Sequence, residues 1–234
     1  MLMSSIQRQT RKQINFIDLF SPCPISISSS ENTQAVYSLK TQNLNQNYYN
    51  LLKRPDLLCV GLYVAFLNVN SVICIISPSV DGTVKVFSAL FAVVATFCFV
   101  TIVTSWYTNT GDFVTLLNML LAYERSRWTK ESDLLELKNC ACFLKYFLWL
   151  FGYGFSVMCP ILLSLFNVAD LKRPPFLGSI IIGVGWKAGV AHVGAVGFQT
   201  WIYFVITPTY IFVTANIFIA SVFSLCAYLD EIKR

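Results

Sequence analysis

His192 is the chain's single histidine, and no carboxylate or thiolate stands close to it in sequence to complete a metal site or a proton relay. It reads as a loop residue among glycines. The eight cysteines (Cys23, Cys59, Cys74, Cys98, Cys140, Cys142, Cys159 and Cys226) contain no C-x-x-C pair. Most lie inside apolar runs, where a free thiol behaves as a small hydrophobe. None falls in an expected outer loop, so no disulfide framework is predicted. Nucleotide, nucleophile-elbow and zinc-protease signatures (G-x-x-x-x-G-K-[ST], G-x-S-x-G, H-E-x-x-H) do not occur. The chemistry-bearing residues therefore predict no enzyme, no cofactor and no metal. Gly185 and Gly189 make one G-x-x-x-G, which the glycines at 178, 183, 185, 189, 194 and 197 generate easily.

The elements that must hold these residues are set by hydropathy. Hydrophobic residues make up 56% of the chain and charged ones 12%, against about 25% charged in an ordinary soluble domain. The charges also fall between long apolar runs, as they do in membrane proteins. The net charge of +5 comes without a basic stripe interleaved by aromatics, so no nucleic-acid partner is expected. The fold class predicted is an all-α integral membrane protein with four transmembrane helices and one cytoplasmic amphipathic helix.

Two regions follow. Residues 1–56 read as a cytoplasmic N-terminal tail, largely flexible, with an Asn/Gln/Tyr tract at 42–50 and a short helix near 48–52. Arg8, Arg11 and Lys12 precede no apolar core of signal-peptide length. Residues 57–234 read as a helical membrane domain with spans at about 57–77, 84–106, 140–166 and 199–227. Asn68 and Asn70 should donate across helices, because a bare amide in lipid is costly. Pro160 and Pro208 should kink their spans, and Lys145 should snorkel to the headgroups. The stretch 176–198 could cross as a fifth span, but its glycines, Lys187 and His192 favour a loop or interfacial segment. Lys and Arg concentrate in the N-terminal tail, the 107–139 segment and the C-terminus, which puts all three in the cytoplasm.

Residues 111–125 (Gly-Asp-Phe-Val-Thr-Leu-Leu-Asn-Met-Leu-Leu-Ala-Tyr-Glu-Arg) carry apolar residues at Phe113, Leu116, Leu117, Leu120 and Leu121, the amphipathic-helix spacing, with Asp112 as N-cap. With the short first outer loop, the longer second one and Pro174-Pro-Phe-Leu-Gly178, this segment resembles the inner helix between the second and third spans of arthropod gustatory and odorant receptors. The resemblance covers roughly residues 50–234 and rests on topology and one loose motif. It implies a plasma-membrane chemosensory receptor, a small apolar or weakly polar ligand, membrane lipids around it, and a homo- or hetero-oligomer. Such receptors have seven helices, with a Thr-Tyr…Gln-Phe motif in the last, pore-lining one. The chain would then be the N-terminal part of a ligand-gated cation channel, without the pore helix. Helical spacing puts Phe151, Phe155 and Met158 on one face of the third span and Trp201 with Phe204 on the fourth. With Phe91 from the second, these are the candidate ligand contacts. The alternative is a small four-helix membrane scaffold or accessory subunit without enzymatic activity.

Overall fold

The structure, a computed structural model, describes residues 2–30, 33–39, 54–105, 110–127, 142–169, 176–179 and 189–233. The 42–50 tract, the helix expected near 48–52, Lys187 and the 170–175 loop lie outside them. The elements are α1 (Leu2–Asp18), β1 (Ile25–Ser30), β2 (Thr33–Leu39), α2 (Pro55–Ile76), α3 (Gly82–Val103), α4 (Thr110–Arg127), α5 (Cys142–Ala169), α6 (Val190–Phe212) and α7 (Ala220–Lys233). Two seven-residue π-helical stretches interrupt them, Leu148–Gly154 inside α5 and Val213–Ile219 between α6 and α7, and α3 passes into π geometry at Thr104 and Ser105. Four helices are long and apolar enough to cross a membrane: Pro55–Ile76, Gly82–Val103, Cys142–Ala169 and Val190–Cys226.

The chain divides into two compact units. Unit 2 comprises residues 46–102 and 157–207. Its helices turn apolar side chains outward: Leu62, Val69, Val86, Leu90, Phe97 and Leu165 are all exposed. Patches of this extent suit lipid rather than water. Asn68 donates to Val64 O and to Thr96 Oγ1, each at 2.8 Å, and so ties α2 to α3 as expected. Asn70 differs, since its buried Nδ2 has no partner among the described residues. The fourth candidate span begins at Val190, not at 199. Its early glycines do not prevent a helix, because in lipid the backbone has no partner other than itself. The same shift moves His192 from a loop onto a helix.

Unit 1 comprises residues 1–45, 103–156 and 208–234. Within the expected tail of residues 1–56, residues 2–30 and 33–39 form a helix and a hairpin. Helix α1 buries Thr10, Gln13, Ile14 and Ile17, an i, i+3, i+4, i+7 stripe, and exposes Arg8, Arg11, Lys12 and Asn15. The following hairpin pairs β1 and β2 antiparallel, with Ile27 opposite Tyr37, and departs from a purely helical fold. Asp18 accepts from Cys23 N at 2.7 Å and turns the chain from α1 into β1. Ile14, Ile17, Ile25, Tyr37, Leu117, Leu121, Leu148, Phe212 and Tyr228 form one buried cluster.

Two polar contacts lock this unit. Asn216, in the second π-helical stretch, donates to Gln13 Oε1 at 2.5 Å and accepts from Thr10 Oγ1 at 3.2 Å. The Gln13 amide lies flat against Gly152 of the first π-helical stretch, where a Cβ would collide with it. Asn118 of α4 accepts from Tyr37 N at 3.0 Å and donates to Tyr37 O at 2.8 Å, standing in for a missing strand on the outer edge of β2. Helix α4 starts at Thr110, which puts Asp112 in its first turn rather than at the cap.

Leu117 and Asn118 should therefore both matter, whereas Thr115 is exposed and bonds only its own helix, donating to Gly111 O. Leu117→Ala should cost about 2–4 kcal/mol by leaving a cavity. Asn118→Leu should cost about 2–3 kcal/mol by orphaning two backbone groups. Thr115→Ala should stay within about 0.5 kcal/mol. Denaturant unfolding in detergent checks the order, and equal effects at all three would refute this packing.

Burial also pushes the Tyr37 phenol up to about 12, with Glu124 adding to the rise against an opposing Thr10 hydrogen bond. Tyr228 is raised by burial and by buried Glu124, to which its hydroxyl donates at 2.8 Å. Both folded values exceed the unfolded one, so the stability they contribute is complete below pH of about 10 and is lost as pH rises through the folded values. Tyr37→Phe should remove about 2–3 kcal/mol of the fall between pH of roughly 10 and 12. Unfolding midpoints across that range check it.

Candidate functional site

In unit 2 the polar side chains converge on Gln199, which is fully buried on α6. Its Oε1 accepts from Asn167 Nδ2 at 2.9 Å and from Leu177 N at 3.2 Å. Its Nε2 donates to Tyr63 Oη at 2.7 Å and to Tyr203 Oη at 3.2 Å. The two phenols also lie 3.2 Å apart, so they share a hydrogen bond. One carboxamide thus joins α2, α5, the 176–179 turn and α6, using both ends of its dipole. Tyr203 follows Gln199 by one helical turn, which lets both side chains leave the same face.

Aromatic rings surround this node. Phe91 meets Tyr203 edge-on at 6.3 Å between centroids and Phe176 at 6.2 Å. Phe176 is buried, so the expected second outer loop begins by turning a ring inward. Nearby polarity is not fully spent. His192 is buried, on the face of α6 that carries Gln199, and neither ring nitrogen has a partner among the described residues. Asn167 Oδ1 is likewise unpartnered and buried. A mostly apolar surround with a few convergent polar groups is the usual make-up of a small-molecule site.

The candidate contacts named from sequence separate in the structure. Phe91 reaches the node. Trp201 and Phe204 are half-buried on α6, with Trp201 6.1 Å from Phe198. Phe151 and Phe155 stack on each other at 5.0 Å with their faces nearly parallel, but both are exposed, and so is Met158. Tyr63, Asn167, Gln199 and Tyr203 were not among the sequence candidates. A polar residue every so often inside an apolar span was the available signal, and Gln199 instead served to mark where a span began. Among the described residues no three His, Cys, Asp or Glu side chains gather as metal ligands would.

No family model, curated protein or solved structure matches this chain.

Gln199→Leu should leave two phenols, an amide and a backbone N–H without their partner, and cost about 2–4 kcal/mol. Tyr63→Phe, which removes the bond from Gln199 and the one shared with Tyr203 but leaves those of the Gln199 oxygen, should cost about 1–2 kcal/mol, at ~0.6 kcal/mol on average for each hydrogen bond between membrane helices. Thermal unfolding in detergent measures both. A Gln199→Leu loss no larger than that of Tyr63→Phe would show that the carboxamide is not the hub.

Proposed function

We propose that this chain is a multi-pass membrane protein of the chemosensory receptor type, and that unit 2 holds a small, weakly polar ligand among its spans. The observation that carries the reading is the Gln199 node. A buried amide is ringed by Tyr63, Tyr203, Phe91 and Phe176, and the unpartnered nitrogens of His192, two turns earlier on the same face of α6, offer a polar anchor within an apolar surround. That fits a ligand with a hydrocarbon body and one hydroxyl, carbonyl or ester group. His192 would donate to or accept from that group, since neutral imidazole can do either. Phe91, Trp201 and Phe204 are the proposed apolar contacts, while the outward Phe151, Phe155 and Met158 face lipid. The amphipathic Gly111–Arg125 segment supports the family resemblance, and the Lys/Arg distribution supports a plasma-membrane protein with both ends cytoplasmic.

The test uses the purified chain in lipid nanodiscs with a panel of medium-chain alcohols, ketones and esters. At least one should give a saturable rise in unfolding temperature and a matching change in tryptophan fluorescence. Phe91→Ala and His192→Phe should weaken that response by about tenfold or more, which corresponds to ~1.4 kcal/mol, and Phe155→Ala should leave it unchanged. Responses that rise linearly with added compound and are equal in every variant would be bulk partitioning. That result would leave the four-helix scaffold as the better description.

A further inference from the structure

In unit 1, α1 and the first turns of α5 enclose a cleft of about 770 Å³. Arg8, Lys12 and Lys145 line it, and among the described residues no carboxylate does. Three cations converging without an acid raise one another's energy unless an anion joins them. Gln13, also in the lining, is buried, and although Asn216 occupies its Oε1, its Nε2 has no partner among the described residues. That amide is turned toward Asn216 and the Gly152 backbone, so the cleft's polar character comes from the three cations.

The rest of the lining is unlike a site for a soluble anion. Trp149 and Tyr153, one turn apart on α5, are exposed, and so is Leu19 at the end of α1. Lys145 lies three residues inside the candidate span Cys142–Ala169, about 4.5 Å along the helix axis. Lys145 thus lies near the end of a candidate span, while Trp149 and Tyr153, about 10 and 16 Å further in along the axis from Cys142, line the apolar depth below it. Helix α1 presents its basic face there, as an interfacial helix does.

We infer that this cleft binds an anionic phospholipid of the leaflet on the N-terminal side. Arg8, Lys12 and Lys145 would take the phosphate and any further negative group of the head, and an acyl chain would run along Trp149 and Tyr153. A free phosphate would satisfy the cations but leave the aromatic rim uncovered. The inference rests on membrane insertion and not on the chemosensory reading of unit 2, and its test does not involve the ligands of that unit.

Native mass spectrometry of the purified full chain in detergent, with phosphatidylserine and phosphatidylcholine of identical acyl chains, provides the measurement. The anionic lipid should be retained in preference. Arg8→Gln, Lys12→Gln and Lys145→Gln combined should weaken its binding on the order of a hundredfold, given ~1 kcal/mol per cation near a headgroup. Arg11→Gln with Lys85→Gln, both outside the cleft lining, should not. The three cleft cations are exposed, so their removal should leave the fold intact. A second readout needs no charge variant. In vesicles, phosphatidylserine with brominated acyl chains should quench the part of the tryptophan emission that Trp149→Phe removes. Equal retention of the two lipids, unchanged binding by the triple variant, absent quenching, or displacement by excess inorganic phosphate would each overturn the lipid assignment.

Discussion

A carboxamide surrounded by hydrocarbon has no water to fall back on, so it must find its partners in other helices or remain unsatisfied at a cost of several kcal/mol. That constraint organises both units. For helices as apolar as those of unit 2, apolar contact alone cannot specify which helices meet in a membrane, because lipid tails would solvate Leu and Val as well as another helix does. Gln199 supplies the missing specificity. Its oxygen requires Asn167 and Leu177 N, and its nitrogen requires Tyr63 and Tyr203, so only one arrangement of α2, α5 and α6 satisfies it. Gln13 plays the corresponding part in unit 1, held between Asn216 and the bare backbone of Gly152.

The two π-helical stretches follow from the same demand. A π turn widens the helix by one residue and redirects the side chains after it, which is why such turns collect at sites with special packing needs. Here one turn contains Gly152, which offers the Gln13 amide a flat surface, and the other contains Asn216, which offers it a hydrogen bond. Unit 1 then builds around α1 as a water-soluble domain would, with Ile14, Ile17, Leu117, Leu121 and Tyr228 in a shared core.

Sequence patterns made some of this legible and hid the rest for identifiable reasons. The four apolar runs and the leucine face of α4 stand out because each is repeated over many residues. Leu117 and Leu120 are buried as their spacing implied. Helix α1 was hidden because half of its buried stripe is polar. Thr10 and Gln13 look like surface residues until Asn216, some two hundred positions later, appears opposite them. The hairpin did alternate, as Ile25-Ser26-Ile27, but its serines and short length read as an unstructured leader. Asn118 reads as a surface residue on the helix and becomes an edge cap only once β2 lies beside it. The helix that carries the fourth apolar run starts at Val190, ahead of the expected span at 199–227, because glycine's helix penalty applies in water, where the peptide group has an alternative.

The candidate site was the least legible part, because aromatic spacing on a single helix says nothing about which neighbour that face meets. Phe151 and Phe155 share a face, stack well and point outward. Phe91 has no distinctive spacing at all, yet packs against Phe176 and Tyr203. What separates them is proximity to a polar group that must be buried. A hydrocarbon-facing ring has no energetic reason to prefer one neighbour over another, whereas a ring that shields the Gln199 hydrogen bonds from competing donors strengthens each of them by lowering the local dielectric. The same reasoning marks His192. A helix face that carries Gln199 and Tyr203 to their partners also carries the imidazole inward, so its two nitrogens are buried as a consequence of the bonds made by its neighbours. Under the proposed function, a ligand that supplies the missing hydrogen bond would relieve the cost of that burial, and a pure hydrocarbon of the same shape would not.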